Sequence, residues 1–247
     1  RRLLAYYSDR GEHAKAISMH EILLGLTEND EERLATYIEI ARLYEEELAE
    51  LENAATYLAK AILIASDRQD LREHFEALVE ATQLYQLLYD VYVELLGRDN
   101  VDDSIKLALH RQVARVCQDH LSKDQEAIKS WEACLCANDQ DVEAIDALSA
   151  LYEAVGHWDS LLYVLDRKLS LTEDEDEEKA LCFKRAELLL TQLDRRDDAE
   201  STYEHILELD NSNADALSGL KGIYEVSENW DKMASVLRRE LDLMPED

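Results

Sequence analysis

The densest run of ionisable residues is acidic and spans residues 173–178, where every side chain is a carboxylate. Such a run could attract a basic peptide or a Ca²⁺ ion, because hard cations take carboxylate oxygens as ligands. It lacks the central glycine of an EF-hand loop. We therefore expect a solvated linker between two helices, whose carboxylates also favour the N-terminus of the second helix.

Histidine and cysteine supply the candidates for metal binding. His120 follows Cys117 by three residues, a spacing that a metal could use, but no second Cys/His pair at a suitable spacing accompanies it. His13 and His20 are seven residues apart on one predicted helix face, where each replaces a large apolar residue of the repeat described below. We interpret both histidines as core residues and predict no metal site.

The four cysteines do not indicate a disulfide framework in so large a helical chain. Cys134 and Cys136 point to different helix faces, whereas Cys117 and Cys134 occupy core-facing positions and could lie near each other. We expect buried apolar fillers, with a redox pair or metal ligands as the alternatives.

No constellation of residues indicates catalysis. None of the six glycines forms a GxGxxG or GxxxxGK[ST] loop, so no nucleotide cofactor is predicted. Carboxylates are so frequent that no pair stands out as a general acid and base. We predict no catalytic residues, no cofactor and no enzymatic activity. Gly219 and Gly222 fall in a helical pattern, where we expect them to permit close helix packing.

The formal net charge is −30, from 56 acidic and 26 basic residues. Nucleic acid and anionic membrane are recognised by clustered Lys and Arg, so this composition argues against both. No apolar run reaches the length of a membrane span. The charge favours a protein or peptide partner that carries basic and apolar residues. Two other interpretations stay open: solvation of helix surfaces and adaptation to high salt.

The elements that position these residues follow an internal repeat of about 72 residues, which is the signature of a solenoid. Its clearest members are Tyr152, Trp158 and Leu165, which recur as Tyr224, Trp230 and Leu237. Each repeat contains two alternating units, and each unit reads as two helices because apolar residues return every three or four positions.

We predict an all-α fold in which seven antiparallel helix pairs form one array over 1–247. The pairs cover residues 1–27, 30–67, 69–97, 101–138, 141–172, 175–210 and 213–244. We expect Gly156 in a turn between two helices, and Trp158 and Trp230 largely buried at the starts of second helices. The chain opens inside a helical pattern, so we interpret it as an excerpt of a longer protein. The compartment stays open, with the cytoplasm slightly favoured.

The repeat resembles the tetratricopeptide repeat (TPR) family in a divergent, alternating form, as in long bacterial arrays. The resemblance rests on two sets of residues: Ala199, Tyr203, Leu207, Asp210 and Asn211 followed by Ala214, Leu217, Leu220 and Tyr224; and Leu148, Tyr152, Gly156, Trp158 and Leu165. Ala41, Ala114 and Ala186 match the small position of the first helix. The proline that closes a TPR unit is replaced by Asp67, Asp139 and Asn211, and the even-numbered units carry one or two extra residues between their helices.

The resemblance implies a right-handed superhelix whose first helices line a concave groove for a peptide or a partner helix. The lysine and asparagine set that captures chaperone carboxylates is absent from the corresponding positions. The candidate groove residues are instead Arg42, Arg111, Arg115, Glu143, Asp146, Glu153, Asp215 and Glu225. The alternative is that these residues only solvate the first helices.

The leading functional hypothesis is a non-catalytic protein-interaction scaffold that binds a partner segment in this groove. The alternatives are a regulatory or substrate-recruiting arm of a larger enzyme, and a structural array that stacks end to end. The oligomeric state is left open by the sequence.

Overall fold

The computed structural model describes residues 6–7 and 10–243, and within them it contains thirteen α-helices and no strand. The predicted all-α class is therefore confirmed. The helices are α1 (His13–Leu24), α2 (Asp30–Arg42), α3 (Leu51–Ile64), α4 (Gln69–Thr82), α5 (Tyr85–Leu96), α6 (Asp103–Val116), α7 (Asp124–Ala137), α8 (Val142–Val155), α9 (Trp158–Leu171), α10 (Glu175–Thr191), α11 (Arg196–Leu209), α12 (Ala214–Val226) and α13 (Trp230–Leu243).

These helices fall two by two into the predicted ranges from residue 30 onward. The first predicted pair, 1–27, lies partly outside the described residues, so the count of seven pairs stays a prediction. The alternating repeat explains the pairing, since each amphipathic helix buries its apolar stripe only against its neighbours. Alanines at the tight positions are fully or almost fully buried, as the repeat pattern predicts: Ala41, Ala55, Ala114, Ala127, Ala186 and Ala199.

The chain divides into two compact units, with the boundary inside α7 between Cys134 and Leu135. In the first unit, α2 packs against α3, α3 against α4, and α5 against α6, around buried Phe75, Tyr92 and Trp131. In the second unit, each helix from α8 to α12 packs against the next one along the chain. The prediction of a single array over 1–247 stays a prediction.

Counted along the chain, the odd-numbered helix pairs are 1–27, 69–97, 141–172 and 213–244. The turns between their two helices share one backbone conformation. Gly11, Gln83, Gly156 and Glu228 all have positive φ and are spaced 72, 73 and 72 residues apart. Gly156 has a φ of 75° and ends α8, which confirms its predicted place in a turn. The His157 amide donates to the Tyr152 carbonyl at 2.9 Å, and the Asn229 amide donates to the Tyr224 carbonyl at 2.9 Å. Both hydrogen bonds span five residues.

The even-numbered pairs use a longer turn. Ala49, Ser122 and Asp194 have positive φ there and are spaced 73 and 72 residues apart. The closing hydrogen bond spans six residues, as in Arg195 N to Leu189 O at 2.8 Å. In two of these pairs the first helix widens into a π-helical turn, at Leu43–Glu47 and Cys117–Leu121. The extra residue that the sequence predicts between the helices of these pairs is thus accommodated in the π-helical turn at the end of the first helix.

Side-chain caps fix the starts of several first helices. The Asn29 side chain accepts from the amides of Glu31 and Glu32, and the Asp141 and Asn213 side chains cap α8 and α12 in the same way. The acidic run 173–178 supplies the cap of α10 through Asp174, and its last four carboxylates, 175–178, fill the first helical turn. Carboxylates are favoured there by the helix dipole, so the expected helix-starting role of the run is confirmed. The run is not mainly a linker, however, because four of its six residues lie inside α10.

Two expectations about individual residues are wrong. Trp158 is half-buried, but Trp230 is 61% exposed, so it is not largely buried as expected. Among the described helices, α9 packs against both α8 and α10, whereas α13 packs against α12. Gly219 permits close packing against Tyr203, as expected, but a Cβ at Gly222 would meet no atom within 4 Å. Gly222 is therefore not a packing requirement.

Candidate partner-binding surface

The eight candidate residues all lie on first helices. Three belong to the first compact unit, on α2 and α6, and five belong to the second, on α8 and α12. Each set is described within its own unit.

Arg42 ends α2 and is held by two neighbouring carboxylates. Its guanidinium lies 2.7 Å from Glu39 and 2.8 Å from Glu46, and hydrogen bonding to both raises the pKa of Arg42. The side chain is exposed, so a partner carboxylate would have to compete with these two contacts. Arg42 is thus less available than the sequence pattern indicates.

A cleft of about 570 Å³ lies between α4 and α6 in the first unit. Arg111 lines it, with Arg72 as a second positive group. Asp67 and Glu73 supply negative charge, and the wall contributed by α6 includes apolar residues such as Ile105. The cleft therefore presents both signs of charge beside an apolar wall, which suits an amphipathic segment.

Glu76 in this cleft links three helices. The Tyr92 hydroxyl of α5 donates to Glu76 at 2.6 Å, and the Gln112 side-chain amide of α6 donates at 3.1 Å. Burial raises the pKa of Glu76, while the Tyr92 hydrogen bond and the positive charges of Arg72 and Arg115 act in the opposite direction. Sequence analysis missed Glu76, because the packing of α4, α5 and α6 brings its partners together and no local spacing indicates them.

Two of the candidate carboxylates of the second unit form ion pairs with lysines of neighbouring helices. Asp146 lies 2.7 Å from Lys168 of α9, and Glu153 lies 2.6 Å from Lys184 of α10. Glu143 is half-buried at the start of α8. The remaining two residues, Asp215 and Glu225, are exposed on α12. Sequence analysis missed both lysines, which lie 22 and 31 residues from their partners.

Three of the four cysteines lie in the core. Cys117, Cys134 and Cys182 are buried and Cys136 is exposed, and all four are free thiols. The buried three match the prediction of apolar fillers. Within residues 6–7 and 10–243 no group of three or more His, Cys, Asp or Glu side chains is placed to hold a metal ion. None of the described helices combines the length and the apolar character needed to cross a bilayer.

Comparison with known proteins gives structural matches alone, since no family model and no curated protein matches the chain. The structure of Naa15/Naa10 bound to HypK-THB is similar over 100% of this chain and 36% of that chain, with 14% identity and a TM-score of 0.54. A putative kinesin light chain with nearly identical TPR-like repeats, from Podospora anserina, is similar over 87% of this chain and 96% of its own, at 14% identity and a TM-score of 0.40. YrrB, a TPR protein with an unusual peptide-binding site, is similar over 85% and 86%, at 19% identity and a TM-score of 0.34.

Similarity at these identities concerns the fold. The Naa15/Naa10 structure matches the whole chain with a TM-score above 0.5, so the likeness covers all the helix pairs. The chain has a TPR-like fold. The predicted resemblance is confirmed at this level, while the right-handed superhelix stays a prediction.

The TPR-like units close without the usual proline. Asp139, in one of the closing positions, lies 3.4 Å from Arg167 of α9. Asp67, in another, lines the cleft between α4 and α6. At two of the three closing positions the chain therefore places a carboxylate that contacts a neighbouring helix or lines a cleft, and the third holds Asn211.

Proposed function

We propose that the protein is a non-catalytic interaction scaffold whose first-helix faces bind a segment of another protein. The cleft between α4 and α6 carries this proposal, because it combines an apolar wall with charges of both signs. Concave sites with a few placed polar groups are typical binding sites. The eight candidate residues, from Arg42 to Glu225, are proposed as contacts within their respective units.

The partner that fits best carries basic residues among apolar anchors. A surface with a formal charge of −30 attracts cationic segments and repels nucleic acid and anionic lipid. Arg111 and Arg115 are four residues apart on α6 and provide positive charge on that helix. An acidic residue of the partner that paired with these two arginines would fix the position of the partner segment along the cleft.

Two structural neighbours support a protein partner. YrrB is a TPR protein with a peptide-binding site, and Naa15/Naa10 is bound to HypK-THB in its structure. At 14–19% identity their partners do not transfer to this chain, but the same use of the fold does support the proposal.

Charge reversal on α6, which forms one wall of the cleft, tests the proposal. A displayed library of peptides with Lys and Arg among apolar residues is selected on the 247-residue chain, and the affinity of the selected peptides is then measured. We expect the double change Arg111→Glu and Arg115→Glu to weaken binding about tenfold or more, since register-setting charge pairs act mainly on dissociation.

The matched control is the double change Arg195→Glu and Arg196→Glu, which alters the net charge by the same amount. These arginines pair locally with Asp198 and Asp194 at the start of α11, and neither lines the cleft. An equal loss of affinity in both double variants would contradict the first-helix site.

A kinetic measurement tests the role of the acidic residues. Neutralising Glu143, Asp146 and Asp215 to the corresponding amides should slow association and flatten its dependence on salt, because the long-range field that steers a basic peptide is weakened. Stopped-flow association at several NaCl concentrations gives both quantities. Unchanged association rates would mean that these carboxylates only solvate the helices.

A further inference from the structure

The cleft between α4 and α6 holds a carboxylate that the repeat itself does not require. In the 73-residue step that relates the turns after α4 and α8, Glu76 corresponds to Ser149. Its hydrogen-bond partner Tyr92 corresponds to Leu165 of α9, which is 1% exposed. The second unit thus builds the equivalent helices with neither member of this pair. Packing alone does not explain a half-buried carboxylate, because a small or apolar residue fills such a position without desolvating a charge.

The two nearest arginines compensate the charge of Glu76 only in part. Arg72 donates to the backbone carbonyl of Ser66. Arg115 is exposed on α6, where water and salt screen its charge. Burial raises the pKa of Glu76 in spite of both positive groups. The ionised carboxylate therefore gains from a further cation beside it.

The lining of the cleft has the charge and the shape to take one cationic side chain. Its ionisable residues are three carboxylates and two guanidinium groups, so one negative charge is in excess: Asp67, Glu73, Glu76, Arg72 and Arg111. The volume of about 570 Å³ is that of a site for a whole ligand group. The apolar residues of the α6 wall can pack on the methylene stem of a long basic side chain.

We propose that this cleft receives a lysine or arginine side chain of the partner segment, and that the Glu76 carboxylate pairs with its cationic head. The inference rests on the proposed function of the cleft and names the group of the partner that enters it. Tyr92 donates to one oxygen of Glu76 and Gln112 donates to the other, which fixes the orientation of the carboxylate. An ionised carboxylate has about four lone-pair sites, so both oxygens keep the capacity to accept from an ammonium or guanidinium group.

A double-mutant cycle between the chain and a peptide tests the inference. The probes are a peptide selected from the library of Lys- and Arg-containing sequences, and its single variants with Gln in place of each Lys or Arg. Affinities for the native chain and for Glu76→Gln are measured by fluorescence anisotropy at about 0.15 M NaCl. We expect Glu76→Gln to weaken binding of the selected peptide about tenfold. At one basic position of the peptide, the replacement by Gln should weaken binding to the native chain but not to Glu76→Gln.

Glu80→Gln is the matched control. Glu80 lies one turn from Glu76 on α4 and also accepts from a tyrosine of α5, since the Tyr85 hydroxyl lies 3.1 Å from its carboxylate. It is exposed and is not among the residues that line the cleft. Glu80→Gln removes the same charge from the same helix and should change the affinity by about twofold at most.

Titration of Glu76 in the native chain gives a second readout, which needs no substitution at this residue. Carboxyl-carbon NMR measures the pKa of Glu76 in the free chain and with the peptide bound. A cation against the carboxylate should lower this pKa by about 1 or more. The peptide variant that lacks the coupled basic residue should leave the pKa near its value in the free chain.

Two results would overturn the inference and leave the proposed function standing. One is that no basic position of the peptide couples to Glu76, although the double change Arg111→Glu and Arg115→Glu still weakens binding. The other is a pKa of Glu76 that does not fall when the peptide binds. A library that yields no binding peptide would overturn the proposed function, and this inference with it.

Discussion

Glycine at position 219 sets the distance between two helices of the second unit. A Cβ at this position would lie 2.5 Å from the ring carbon Cζ of Tyr203 on α11, which is closer than real Cβ contacts. The Tyr203 ring is buried, so it cannot swing into solvent without losing its packing. The close approach of α11 and α12 therefore requires glycine on α12.

Replacing the two glycines of α12 should change stability in opposite directions. Gly219→Ala should lower the free energy of unfolding by about 1–3 kcal/mol, because the added methyl overpacks the contact with Tyr203. Gly222→Ala should raise it by about 0.5–1 kcal/mol, because alanine favours the helix and meets no atom there. Urea denaturation of both variants gives the two values, and a change of the same sign in both would contradict the described packing.

Burial of His20 should make stability depend on pH. His20 is 8% exposed, and no hydrogen-bond partner is found among the described residues for its Nδ1 atom. Burial lowers the pKa of His20, with the negative charge of Glu39 acting in the opposite direction. The unfolded chain therefore binds the proton more readily, and the contribution of neutral His20 is lost as the pH falls below the ordinary histidine pKa of about 6.5.

The measurement compares free energies of unfolding at about pH 7.5 and pH 5.5, on either side of that pKa. His20→Leu should lose less stability than the native chain over this interval. The change His157→Leu, at an exposed histidine, serves as the control. A pH dependence that His20→Leu leaves intact would assign the effect to other groups, among them His110, whose pKa is also lowered by burial.

At the scale of helices and turns, the left-handed residue of the odd-numbered pairs is the recurring element. Gly156 and Gln83 occupy equivalent positions with φ of 75° and 60°. Glycine adopts this conformation without a Cβ penalty, whereas a glutamine is strained there. The turn geometry is thus kept by the helix packing even where the sequence does not favour it.

Exchanging these two residue types should show the strain. Gln83→Gly should raise the free energy of unfolding by about 0.5–1 kcal/mol and so raise the midpoint of thermal unfolding. Gly156→Gln should lower both by similar amounts. Circular dichroism melts of the two variants and of the native chain measure both shifts. Equal midpoints in all three would mean that these turns tolerate either residue without strain.

Sequence periodicity predicted the helices well and individual contacts poorly, for a physical reason. Apolar spacing fixes which face of a helix is buried, so Gly156 in its turn and Ala199 in its tight position could be read from the repeat. The exposure of Trp230 depends on whether another helix covers it. The contact between Glu76 and Tyr92 likewise depends on how three helices pack, which no spacing within one helix records.

At the scale of the whole molecule, the charge of −30 is the dominant property. Many exposed carboxylates form ion pairs with a Lys or Arg a few residues away along the chain. Glu39 and Glu46, which both pair with Arg42, are examples. These pairs contribute little each because they are solvated. The excess of acidic groups repels itself in the folded chain.

Salt should therefore stabilise the protein. Raising the NaCl concentration from about 0.01 M to 0.15 M shortens the screening length from about 30 Å to 8 Å, which weakens the repulsion between distant carboxylates. We expect the thermal midpoint to rise over this range in scanning calorimetry. A midpoint that falls would mean that attractive ion pairs outweigh the net repulsion.

The alternation between five-residue and six-residue turn closures has a consequence for how such a chain can be recombined. A duplication or deletion of one helix pair would put two turns of the same type in succession, and the neighbouring interfaces would no longer match. A step of 72 or 73 residues preserves the alternation, as the turns at Gln83 and Gly156 do. Two helix pairs, or four helices, are therefore the smallest module that can be exchanged. A chimera joined at equivalent turns two pairs apart should fold, whereas a chimera joined at turns one pair apart should not.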